Sequence, residues 1–164
     1  MALQIKAKEC AEYCSKCYNS KDMALATHRK FNLEYETLDT YTAGIELFGF
    51  EVKSIKAGGA QVDNAKVIVR GGEVYVIALD VAPYQASNTK TDYDRNRTRR
   101  LLLKKSEIID LYKTGETRGL TILIKSIYLT HGLIKCEVVV CKRLKKHDKR
   151  EQIKNRDLKK RDQD

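Results

Sequence analysis

No run in this chain approaches the ~18–20 consecutive apolar residues that a membrane span requires. Lys6, Lys8, Glu9 and Glu12 interrupt the apolar stretch that a signal peptide would need. Tryptophan is absent, and the sole proline, Pro83, falls just after a strand pattern, where it interrupts no ladder. The phosphate-cradling G-x-x-x-x-G-K, the nucleophile elbow G-x-S-x-G and a histidine pair at metal-ligand spacing are all missing. His147 and Asp148 are adjacent, but neighbours in sequence rarely face each other as a base and its orienter do. These gaps exclude a membrane protein and leave no assembled active site. The expectation is a non-enzymatic, cytoplasmic protein that uses no cofactor and acts on no small-molecule substrate.

What the chain has in excess is positive charge. It carries 32 Lys and Arg against 22 Asp and Glu, a formal net charge of +10 over 164 residues. Residues 142–164 hold 11 of the basic and 5 of the acidic residues, so +6 of the excess lies in the tail and +4 (21 minus 17) in everything before it. Such a polar segment buries too little apolar surface to offset its ordering entropy. It reads either as a solvated terminus or as a basic arm that orders on a polyanion, RNA or DNA.

Five cysteines require their own account. Cys136 and Cys141 lie in a strand pattern, where a free thiol behaves as a small apolar residue. Cys10, Cys14 and Cys17 form C-x3-C-x2-C, a spacing that could hold a metal or cluster. The same positions, i, i+4 and i+7, also share one helix face with Leu3 and Ala7. No later Cys/His cluster completes a four-ligand zinc site, so no metal is expected. Residues 1–26 read as an extension, poorly ordered or helical, and Met23 is an alternative initiator.

Taken in order, Tyr35–Leu38 and Ala43–Phe48 read as short strands, and residues 50–57 as a helical turn ending at Gly58–Gly59, with Glu51 and Lys53 free to face solvent or a ligand. Residues 65–69 and 73–77 are β-branched runs around Arg70-Gly71-Gly72, a hairpin with a tight turn. Asp94 reads as the N-cap of a basic helix, Arg95 to Lys105, and Ser106 as the opening of a second helix that stops near Gly115. Residues 120–129 and 133–141 are long strands joined at Thr130-His131-Gly132, with Ile134, Cys136, Val138 and Val140 on one face. The expected architecture is mainly β with short α-helices: an oligonucleotide-binding-type (OB-fold-like) antiparallel barrel over 27–141 and a flexible basic tail over 142–164. Closure removes exposed sheet edges, and such barrels commonly bind nucleic acid on one face.

Five motifs in order give the chain a family resemblance: Ala43-Gly44-Ile45, Glu51-Val-Lys-Ser54, Arg97-Thr-Arg-Arg-Leu-Leu-Leu103, Gly119-Leu-Thr121 and Lys145-Lys-His-Asp-Lys-Arg150. From His28 to Arg161 the chain resembles the SsrA-binding protein (small protein B) family. The resemblance implies a barrel that binds the tRNA-like domain of transfer-messenger RNA (tmRNA). It also implies a tail that enters the small-subunit decoding centre and empty messenger path of a stalled ribosome, with no covalent chemistry. Carried over by position, Lys53, Arg97, Arg99, Arg100, Leu102 and Lys135 fall on or beside the RNA-contacting surface, and Lys30 and Lys104 extend it. Leu102 reads equally as a residue that packs on a base or as part of the core with Leu101 and Leu103. Lys145, Lys146, His147, Asp148, Lys149 and Arg150 match the decoding-centre motif. The chain departs from the family at His28 (usually Asn), Thr42 (usually Glu), Arg95 (usually Pro) and Arg143 (usually Gly). A generic basic-tailed barrel that binds nucleic acid or associates with ribosomes is the alternative.

Overall fold

The computed structural model describes residues 23–85, 93–115 and 117–145. Its elements are β1 (Met23–Thr27), α1 (Phe31–Glu34), β2 (Tyr35–Ile45), α2 (Gly49–Lys56), β3 (Ala60–Gln61), β4 (Lys66–Arg70), β5 (Glu73–Ile77), β6 (Asp80–Val81), β7 (Arg99–Leu102), α3 (Lys105–Gly115), β8 (Leu120–Thr130) and β9 (Leu133–Arg143). The main sheet runs β1-β8-β4-β5-β7-β2-β9, and an added β8–β9 pairing closes it into an antiparallel barrel. The mainly β, barrel-type expectation therefore holds. Among the described residues, no helix is long and apolar enough to cross a membrane.

Local sequence accounts for most of the strand joints. Gly71 and Gly72 both have positive φ, 61° and 78°, which a two-residue hairpin turn demands and which L side chains resist. They join Arg70 to its cross-strand partner Glu73. His131 (φ 49°) and Gly132 (φ 80°) form the equivalent turn between β8 and β9.

The inward faces of the strands fill the barrel. Ala43, Val74, Val76, Leu101, Ile124, Ile127, Cys136, Val138 and Val140 are buried there, joined by Ile55 from α2 and Leu111 from α3. Each aliphatic side chain so buried contributes about 1.5–3 kcal/mol before entropy is counted. Among the described residues, a second small cluster lies on the outward face of the β8–β9 hairpin. There Phe31 packs on Leu123, Val139 and Cys141, with Tyr35 alongside.

Four local expectations are corrected. Tyr35–Ile45 is one 11-residue strand with a register shift between Thr37 and Asp39, not two strands. The Arg-rich run is not a helix: Asp94 accepts a hydrogen bond from the Asn96 N–H (2.9 Å) in a turn, and Arg99–Leu102 is β7. β1 pairs with β8, so residues 23–26, read as part of a poorly ordered or helical extension, form a strand of the sheet. β9 runs through Arg143, two residues past the strand end read at Cys141, and the Leu144 N–H donates to the Glu34 carbonyl (2.9 Å), so the position of the family's usual glycine lies inside the strand.

Candidate nucleic-acid interface

Strand register decides which side chains share the open part of the barrel wall. Leu102 on β7 lies opposite Gly44 on β2, Gly44 opposite Lys135 on β9, and Lys135 opposite Tyr128 on β8. The four form one row across four strands. Flanking it are Arg100–Tyr75–Ile68 on β7, β5 and β4, and Thr42–Glu137–Ser126 on β2, β9 and β8. Leu102 is 56% exposed while Leu101 is in the core, which separates the two readings of Leu102: it stands on the outer wall. Gly44 leaves a dip beside it, since a Cβ there would lie 3.4 Å from the Leu102 Cβ. Lys135 has no ion-pair partner among the described residues. An exposed aliphatic, a bare backbone and a lysine side by side can take a base or sugar and a phosphate together.

The arginines divide. The Arg100 guanidinium pairs with Glu73 (2.6 Å) near the surface, and the Tyr75 hydroxyl donates to the same carboxylate (2.6 Å). Exposed pairs of this kind are worth little, so a phosphate can replace the carboxylate. Arg99 departs from its expected place on the RNA surface. Its side chain is 0% exposed, pairs with the equally buried Glu51 (2.8 Å) and donates to the carbonyls of Leu79 (2.7 Å), Arg97 and Arg95 (3.0 Å each). Arg97 donates to the other Glu51 oxygen (2.6 Å) and lies 4.1 Å over the Phe48 ring, and the Tyr93 hydroxyl donates to Glu51 at 2.9 Å. Burial pushes the Glu51 carboxyl up, but hydrogen bonds from Arg97, the Phe48 N–H and Arg99, with the Arg99 charge, outweigh it and hold the group at about 2.

Glu51 was expected to be free, so this knot is what the sequence reading missed. A local signal existed: Glu51, Ser54 and Ile55 stand at helix positions i, i+3 and i+4 and share the buried face of α2.

Of the remaining positions, Lys30, Lys53 and Lys104 are exposed but not in the row. The Lys104 N–H donates to Glu107 at 2.9 Å, and Lys30 is the residue before α1. Thr42, where the family usually has glutamate, accepts a hydrogen bond from the Tyr128 hydroxyl (3.2 Å) and lies opposite Glu137. Arg95, at the usual proline, pairs with Asp80 (2.9 Å). Lys145 is exposed, and Lys146, His147, Asp148, Lys149 and Arg150 lie outside the described residues, as do Cys10, Cys14 and Cys17. Burial pushes the Cys136 thiol up to about 12 and the Cys141 thiol up to about 11, so neither is a nucleophile at neutral pH. Among the described residues no His, Cys, Asp or Glu cluster is arranged to hold a metal.

Comparison with known proteins decides the family. The model of the SmpB protein family matches residues 25–164. The chain belongs to the SmpB, or SsrA-binding protein, family. An SsrA-binding protein of Thermosipho africanus is 42% identical over 135 residues, 82% of this chain and 90% of that one. The SsrA-binding protein of Nostoc punctiforme is 40% identical over 132 residues, 80% of this chain and 85% of that one. A chain in the solved structure described as "tmRNA-SmpB: a journey to the center of the bacterial ribosome" superposes with a TM-score of 0.62 at 33% identity, covering 77% of this chain and 92% of that one.

Proposed function

We propose that this chain is a non-enzymatic RNA-binding adaptor of trans-translation in the cytoplasm. It binds the tRNA-like domain of tmRNA and delivers it to stalled ribosomes, with the tail from Lys145 through Arg150 in the decoding centre and the empty messenger channel. The observation that carries this reading is family membership across residues 25–164, the tail included. The outward row of Leu102, Gly44 and Lys135 supports placing the RNA there, with Arg100 and Lys104 at its margin and Lys53 and Lys30 adding positive field. Arg97 and Arg99 serve the same interface indirectly, by fixing the start of β7.

The test is a gel-shift titration over a salt series with three probes: the tmRNA tRNA-like domain, an elongator tRNA and duplex DNA. Tighter binding of the first is expected, with a steep salt slope. Equal affinity for all three would leave only a generic nucleic-acid-binding barrel. Truncation after Lys145, beyond the last residues of β9, is expected to keep the RNA shift and abolish tagging on stalled ribosomes.

A further inference from the structure

A cleft of about 750 Å³ opens beside α1, away from the outward row, and no residue of that row lines it. Its rim carries Arg29, Lys30 and Lys66, all exposed and none in an ion pair among the described residues. Its floor is apolar, formed by Tyr35, Ile77 and Leu123, where Lys66 pairs with both Ile77 and Leu123 across the sheet.

The wall holds two unusual features. The His28 side chain is only 6% exposed, and its Nδ1 has no hydrogen-bond partner; the nearest carboxylate oxygen, of Asp63, is 3.7 Å away. Buried polar atoms are almost always satisfied, so an unmatched imidazole nitrogen in the lining of the cleft is a feature to be explained. Ala78, also on the wall, has φ 56°, a strained backbone for a residue with a Cβ. Asp63 is partly occupied, since it accepts the Arg29 N–H at 3.0 Å. Counting Glu34 and Asp63 against the three rim cations leaves a net positive cleft, three minus two.

We propose that this cleft is a second RNA site that takes a single unstacked nucleotide: the phosphate on Arg29, Lys30 and Lys66, the base on Tyr35, Ile77 and Leu123, and a base-edge polar group toward His28 and Asp63. Apolar floor, cationic rim and a recessed hydrogen-bonding group are what recognition of an unstacked RNA base requires. The inference rests on the RNA-binding reading and adds a contact on a different part of the wall, so one RNA, or two segments of a folded one, engages both.

The test uses the full-length, ¹⁵N-labelled protein titrated with a uridine hexanucleotide, with inorganic phosphate and with the tRNA-like domain RNA. The hexanucleotide is expected to shift the amides of Asp63, Lys66 and Ala78 saturably. In the R29Q/K66Q variant, those shifts should need at least about tenfold more RNA, while shifts at Gly44 and Lys135 with the tRNA-like domain persist. Cleft amides that stay still while Gly44 and Lys135 move would overturn the second site and leave the adaptor function standing. Stillness at both places with every RNA would overturn both. Equal cleft shifts with inorganic phosphate at the same concentration would reduce the cleft to an anion site and overturn nucleotide recognition.

Discussion

Arg99 and Arg100 are neighbours in sequence and residents of two different regions. A strand sends successive side chains to opposite faces, so β7 delivers Arg99 into the barrel end and Arg100 onto the outer wall. In the interior, a carboxylate, two guanidinium groups and a tyrosine satisfy one another around Glu51. On the wall, Arg100 holds an exposed and exchangeable pair with Glu73. The same residue type thus gives rigidity in one place and ligand contact in the other, with one residue of register between them.

The largest expected effect is at the interior knot. Glu51→Gln leaves Arg99 charged, buried and without its counter-charge, a loss of roughly 3–5 kcal/mol, read from the urea midpoint at constant m-value. Arg100→Ala on the wall should cost under about 1 kcal/mol. Equal losses in the two variants would erase the distinction between the regions.

Acid should single out the knot as well. The Glu51 carboxyl is held at about 2 against an ordinary 4.5, so its contribution is fully present above about pH 4.5 and is lost as pH falls toward 2. A shift of that size corresponds to about 3 kcal/mol. Chemical denaturation between pH 5 and pH 2 should show a decline that is shallower in Glu51→Gln. An identical slope in both proteins would mean that Glu51 is not the group that titrates.

These contrasts also explain what was legible in the sequence. The hairpins were, because Gly71-Gly72 and His131-Gly132 write their turns locally. Alternation around Cys136 and Val138 likewise marked the core face of β9. β7 was not legible: its inward positions are Arg99 and Leu101, and an inward arginine breaks the apolar alternation that identifies a strand. Its justification, Glu51, is 48 residues away and becomes visible only in three dimensions. The candidate site divided in the same way. Residue types flagged the basic run, but only register could separate Arg99 from Arg100 and put Leu102 beside Lys135.

A smaller effect is expected at Lys135. Lys135→Ala should leave the unfolding midpoint nearly unchanged, weaken tRNA-like-domain affinity several-fold and reduce the salt slope by about 0.7–0.9, the value of one phosphate contact. An unaltered slope would move the phosphate away from Lys135 and break the row as an interface.

The subtlest test is Gly44, where stability and binding should move in opposite directions. Glycine weakens a strand interior, and a Cβ at this position would meet Leu102 at 3.4 and 3.5 Å, near ordinary van der Waals contact. Gly44→Ala should therefore fold as well as the parent or gain up to about 1 kcal/mol. The added methyl would fill the dip between Leu102 and Lys135. If RNA lies against that bare backbone, gel-shift affinity falls while the unfolding midpoint holds or rises. A variant with unchanged affinity would show that RNA does not approach the wall at Gly44, and Leu102 would then be an exposed leucine with no ligand to explain it.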